Sequence, residues 1–164
     1  MKKTKLVALL TLLVVTSALA LPALARKNQS TPLSDDEIYW LKFMREEEKI
    51  ARDVYTYLYN EWGLSIFYNI KASEQKHMDK VKGLLDKYGI ADPADGKDYG
   101  EFENDYIQGL YDELTDKGDN SRVDALEVGV IIEETDIGHL GEAIDDSTHN
   151  DIINVYTNCQ KLRF

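Results

Sequence analysis

Three stretches of this chain repeat apolar residues at helical spacing, and each stripe is interrupted by an acid. Leu41, Met44, Ala51, Tyr55 and Leu58 share one helix face, with Glu48 in the row. Phe67, Ile70, Val81, Leu84 and Tyr88 share a second, with Glu74 and His77 in the row. Leu126, Val130, Ile137, Leu140 and Ile144 share a third, with Glu133 in the row. Residues three and four apart lie on one face of a helix, so these stripes predict three helices turned toward a common core. A carboxylate buried in such a face costs several kcal/mol unless something pairs with it. Three acids and an imidazole aimed at one core point to a shared divalent cation.

Punctuation residues set the boundaries. Ser34, with Glu37 three residues on, reads as a capping box, and Gly63 closes that helix after Trp62. A second helix runs from about Ile66 to Tyr88, ahead of Gly89. Pro93, Gly96 and Gly100 mark 92–100 as a loop. Asn104 or Asp105 opens a short helix through Leu110 and Leu114 to Gly118, and Ser121 caps a long one over about 123–145. A last helix spans Asp151 to about Leu162. Nothing alternates with period two, so the fold class is all-α: four core helices, with a short helix inside the connection from Gly89 to Asn120. That connection is long enough to cross the core, letting the second and third core helices run parallel. One long crossover of this kind separates ferritin-like bundles from simple up-and-down ones.

The N-terminus follows a different rule. Lys2, Lys3 and Lys5 precede an apolar run, Leu6 to Ala20, and small residues follow at Ala18-Leu19-Ala20 and Ala23-Leu24-Ala25. This is the pattern of an export signal over 1–25, cleaved after Ala20 or Ala25; an uncleaved anchor is the alternative. Residues 26–33 read as a tether and 34–164 as the folded domain. Removing 1–25 takes away three lysines and no acid, which leaves 16 basic and 30 acidic residues, near −14. Such a charge argues against nucleic acid or an anionic membrane as partner and suits cations. The lone cysteine, Cys159, cannot form an internal disulfide, and its place near the C-terminus reads as a small apolar residue.

The candidate metal ligands are Glu48, Glu74, His77 and Glu133. Glu74-x-x-His77 offers an oxygen and a nitrogen on one helix face, a set that suits iron, manganese or zinc. Glu48 belongs to the run Glu46-Glu47-Glu48 and is four after Met44 and three before Ala51. Glu47 borders a lesser apolar row and is the runner-up, and Glu46 falls between rows. Glu133 is three after Val130 and four before Ile137, which favours it over Glu134; Asp136, one turn on, is a further ligand or a supporting group. Tyr55, in the Glu48 stripe, could donate to a metal ligand.

Glu48-x-x-Ala51-x-x-x-Tyr55 resembles the first iron-ligand helix of rubrerythrins and bacterioferritins, and Glu74-x-x-His77 resembles their second. Ile132-Glu133 with Leu140 and Glu142-Ala143-Ile144 is similar to the third helix of bacterioferritins. More closely, Met44-Arg45-Glu46-Glu47-Glu48-Lys49, Ser73-Glu74-Gln75-x-His77-Met78 and Ile132-Glu133-Glu134-Thr135-Asp136-Ile137 resemble a ferritin-like family of unknown function, number 2202, over about residues 34–162. The resemblance implies a ferritin-like four-helix bundle and brings no established reaction. If it is an enzyme, redox chemistry at iron or manganese on dioxygen, peroxide or Fe(II) is the expectation; the alternative is a non-catalytic helical module with a vestigial site. One departure bears on the site. Ferritin-like iron sites take a second Glu-x-x-His from the last helix, whereas 151–164 here holds neither Glu nor His. The site would then be incomplete, hold one metal, or be closed by a second copy in a homo-oligomer.

Overall fold

The structure is a computed structural model that describes residues 32–161; the expected export signal and most of the expected tether lie outside them. The described residues form α1 (Asp35–Trp62), α2 (Ser65–Tyr88), α3 (Asp105–Gly118), α4 (Arg122–Asp145) and α5 (Asn150–Lys161), with no strand among them. None of these helices is long and apolar enough to cross a membrane. The ends follow the punctuation. Ser34 and Glu37 form the reciprocal capping box, and Gly63 and Gly89 end α1 and α2 in the left-handed region at φ 66° and 69°, where a side chain would be strained. Asn104 and Ser121 accept from backbone amides at the heads of α3 and α4.

Pairings across elements give their directions. Trp40 donates to Asp146, Glu47 meets His139, and Tyr55 donates to Glu133, so α4 runs antiparallel to α1. Arg45 reaches the Met78 carbonyl and Arg52 reaches Gln75, so α2 is antiparallel to α1 as well. The two therefore run parallel to each other, with α3 in the connection between them. Four helices close a ring in the order α1, α2, α5, α4; α3 packs outside it, on α1 and α4. Helices α1 and α5 face each other across the ring, as do α2 and α4.

The centre of α1 is buried on every side. Each residue from Phe43 to Ala51 is buried, among them Arg45, Glu46, Glu47, Glu48 and Lys49. A helix lying on a core buries one stripe; this one is enclosed, so its charges must be satisfied individually. Arg45 holds Asp92 through Nε and Nη2 (3.0 and 3.1 Å) and donates Nη1 to the Met78 carbonyl. Lys49 places all three of its hydrogens, on Asp53 (2.7 Å) and on the carbonyls of Asp98 and Glu101 (2.9 Å each). Glu46 accepts from the amides of Glu103 and Asn104. The α2–α3 connection is thus tied along α1 by the charges of α1. Glu46, expected between apolar rows, is instead a buried anchor for that connection.

The stripe expected on α4 is corrected. Leu126 and Val130 are 45% and 56% exposed, while the buried row is Ala125, Val128, Ile132, Asp136, Leu140 and Ala143. Leu126, Val130 and Ile137 instead line an open apolar groove of about 370 Å³, opposite Ile66, Phe67 and Ile70 of α2. The large residues Leu126, Val130 and Ile137 therefore mark a groove wall, whereas Ile132 and Leu140 join Ala125, Val128 and Ala143 in the core.

Glu37 joins the two ends of the chain's fold. Its carboxylate accepts from the Ser34 amide, from the amides of Thr148 and His149, and from the His149 ring at 2.7 Å. Burial pushes its pKa up, but these hydrogen bonds outweigh that and hold it at about 2, against 4.5 ordinarily. A depressed carboxylate stabilises fully above its unfolded pKa and loses that contribution as the pH falls through its folded one. Glu37→Gln should therefore cost about 1–3 kcal/mol at neutral pH. In urea unfolding, the gap between wild type and variant should close between pH 4.5 and pH 2; a gap independent of pH would refute this role.

Candidate metal centre

The apolar stripes of α1 and α2 pack on each other, and the polar residues set in them meet inside the ring. Glu48 is fully buried, and Glu74 and His77 are 2% and 1% exposed. His77 Nδ1 lies 3.0 Å from Glu74 Oε2, one turn back on its own helix, and 3.4 Å from Glu48 Oε2 on α1. Burial alone would push the imidazole pKa down; Glu48 and Glu74 outweigh it and raise it to about 9. Two carboxylates around one imidazole make a site that demands a cation, whether a proton on His77 or a metal ion.

The separations fit a metal. Two ligand atoms about 2.1 Å from one ion stand about 3.0 Å apart at a right angle and about 3.4 Å apart at the tetrahedral angle. The donor set of carboxylate oxygens and imidazole nitrogen belongs to iron, manganese and zinc. His77 Nε2 is buried and makes no hydrogen bond.

The fourth helix of the ring brings a residue that the sequence reading passed over. Cys159 of α5 is fully buried, and its Sγ lies within 4.8 Å of one ligand atom each from Glu48 and His77, which are within that distance of one another. Among the described residues these three are the metal-capable donors grouped so closely. Tyr156, one turn earlier on α5, is also fully buried, and its hydroxyl makes no hydrogen bond. Burial raises the Tyr156 pKa, and the charges of Cys159, Glu37 and Glu48 raise it further. What places Cys159 is the register of α5 against α1 across the ring. Glu37 meets His149, and Glu48 lies about as far past Glu37 as Cys159 lies past His149.

The remaining candidates are placed elsewhere. Glu133 is half-buried at the edge of the apolar groove, where its Oε1 accepts from the Tyr55 hydroxyl at 2.7 Å. Neither Glu133 nor Glu74 is in the close group of donors, but Glu74 adjoins it through His77 Nδ1 at 3.0 Å. Glu134 is exposed. Asp136 is 1% exposed and borders, with Glu47, a cavity of about 20 Å³ between α1, α3 and α4. Glu47 itself is buried and contacts His139 Nδ1, which raises the histidine's pKa. Of Glu46, Glu47 and Glu48, then, each serves a different neighbour: the connection before α3, α4, and the α2 site.

Residues 37–164 match the uncharacterized protein domain DUF2202. The chain belongs to that family. It is similar to "Uncharacterized protein MJ0754" of Methanocaldococcus jannaschii, 52% identical over 130 residues that cover 79% of this chain and 70% of the relative. The fold is similar to the crystal structure of "hypothetical protein MJ0754" from Methanococcus jannaschii DSM 2661, with a TM-score of 0.80 and 50% identity over 82% of this chain and 77% of that one. The match takes in all of α2 to α5 and α1 from Glu37 on, and so every residue of the candidate centre.

Proposed function

We propose that this protein is an exported ferritin-like metal-binding protein whose ion is held by Glu48, Glu74 and His77. The observation that carries the reading is the approach of two buried carboxylates from two helices to one imidazole nitrogen, at 3.0 and 3.4 Å. A ring of four helices with α2 parallel to α4, joined by one long crossover, supports a ferritin-like bundle. Iron is the preferred metal, with manganese or zinc as alternatives of the same ligand class. Bound there, iron or manganese would supply a redox centre for dioxygen, peroxide or Fe(II). The chain's own contribution is to exclude water and to hold the three side chains in place on two packed helices. A second reading is supported by the raised His77 pKa: a protonated His77 between Glu48 and Glu74 would make a purely structural ion triad in a non-catalytic module.

Metal-dependent stability separates the two. Ligand at about 100 times its dissociation constant adds roughly 2.7 kcal/mol, or about 10 °C in Tm for a domain of this size. Wild type melted with Fe²⁺ or Mn²⁺ under anaerobic conditions should gain that shift, and His77→Ala should lose it. Glu46→Ala should lower the Tm, because it strips the amides of Glu103 and Asn104 of their acceptor, yet keep the metal shift. No shift in wild type would leave the structural triad as the answer.

Export rests on the N-terminal pattern of basic head, apolar run and small residues. Intact-mass measurement of the processed protein should show loss of residues 1–20 or 1–25. A full-length N-terminus retained in the cell envelope would favour an anchor.

A further inference from the structure

We propose that Cys159 is a ligand of this centre, supplying as a thiolate the contact that α5 makes to the ion. The inference rests on the metal reading of Glu48, Glu74 and His77 and goes beyond it by naming the last-helix ligand and its chemistry. The Sγ of Cys159 is within 4.8 Å of ligand atoms of Glu48 and His77, so the donors converge from three helices of the ring. Helix α5 contains no histidine and no glutamate. Its one carboxylate, Asp151, is bound to Lys87 and Tyr88 near the start of α5, two turns from Cys159. His149, just ahead of the helix, is engaged by Glu37. Cys159 is therefore the side chain with which α5 reaches the ion. Two further buried polar atoms beside this group make no hydrogen bond, the Nε2 of His77 and the hydroxyl of Tyr156. Tyr156 is one turn from Cys159, on the same face of α5.

The donor set changes what the site prefers. Thiolate, imidazole and carboxylate together rank Zn²⁺, Fe²⁺ and Co²⁺ above Mn²⁺, which binds more weakly, and discriminate against Mg²⁺, which favours all-oxygen ligands. Metal–sulfur bonds of about 2.3 Å set ligand separations near 3.5–4 Å, so donors now within 4.8 Å need only a small contraction to share one ion. Two carboxylates and a thiolate exceed the charge of a divalent ion by one. The Tyr156 hydroxyl is a donor at hand for that excess.

Cobalt substitution reads the ligand directly. The full chain, purified without an affinity tag and loaded with Co²⁺, should show a thiolate-to-cobalt charge-transfer band in the near ultraviolet, which carboxylate and imidazole do not produce. Cys159→Ser should lose that band while keeping weaker visible absorption from bound cobalt. Should the variant fold poorly, X-ray absorption at the zinc edge of wild type decides the matter, with a sulfur scatterer at about 2.3 Å expected. Cobalt or zinc bound with nitrogen and oxygen ligands alone overturns the role of Cys159 and leaves the centre at Glu48, Glu74 and His77 standing. Failure of wild type to bind either ion overturns both.

Discussion

The enclosed middle of α1 is the constraint on which the rest of this structure depends. From Phe43 to Ala51 no residue faces solvent, yet five of the nine carry ionisable side chains. An isolated charge in such a place would be prohibitive, and removing one partner of a buried pair costs about 3–5 kcal/mol. Each charge therefore has its own partners, and the set of matches specifies the arrangement. Arg45, Glu46 and Lys49 bind the α2–α3 connection, Glu47 binds α4, and Glu48 faces α2 and α5. A different packing of the same helices would strand several charges at once, which gives the native arrangement a specificity that apolar packing alone would not.

That constraint would make the proposed metal site compatible with a stable core. Glu48 is held in the interior by a helix whose other buried ionisable groups each have a polar partner. The negative charge that Glu48 and Glu74 contribute around His77 is then the local excess for which a cation is needed. Ser34, Glu37 and His149 fix the ends of α1 and α5 against each other, and this sets the level at which Cys159 arrives opposite Glu48. The position of the cysteine is a consequence of helix register, established two to three turns away from the centre.

Much of this was legible in the sequence where local chemistry decides. The capping box at Ser34 and Glu37, the glycines at 63 and 89, and the caps at Asn104 and Ser121 located the helices, because each answers a backbone requirement close by in the chain. The stripes of α1 and α2 were legible because large apolar residues fill their shared interface, and the acids within them, Glu48 and Glu74, are indeed buried beside His77. Periodicity failed where size and burial part company. On α4, Leu126 and Val130 line an open groove while Ala125, Val128 and Asp136 face inward, so a phase chosen from the bulkiest residues was turned away from the core and toward Glu133. It failed again at Glu46, because a helix buried all round has no outer face to infer. Cys159 was out of reach for a third reason: its environment is set by contacts over a hundred residues apart in the chain.

The central claim is that Glu48, Glu74 and His77 surround one divalent metal ion. Anomalous diffraction from crystals grown with Zn²⁺ or, anaerobically, Fe²⁺ tests it most directly, because it locates the ion without assuming a reaction. The account predicts a single strong peak about 2.0–2.2 Å from a ring nitrogen of His77 and within bonding distance of both carboxylates. No peak there, with the imidazole still bridging Glu48 and Glu74 by hydrogen bonds at saturating metal, would contradict it.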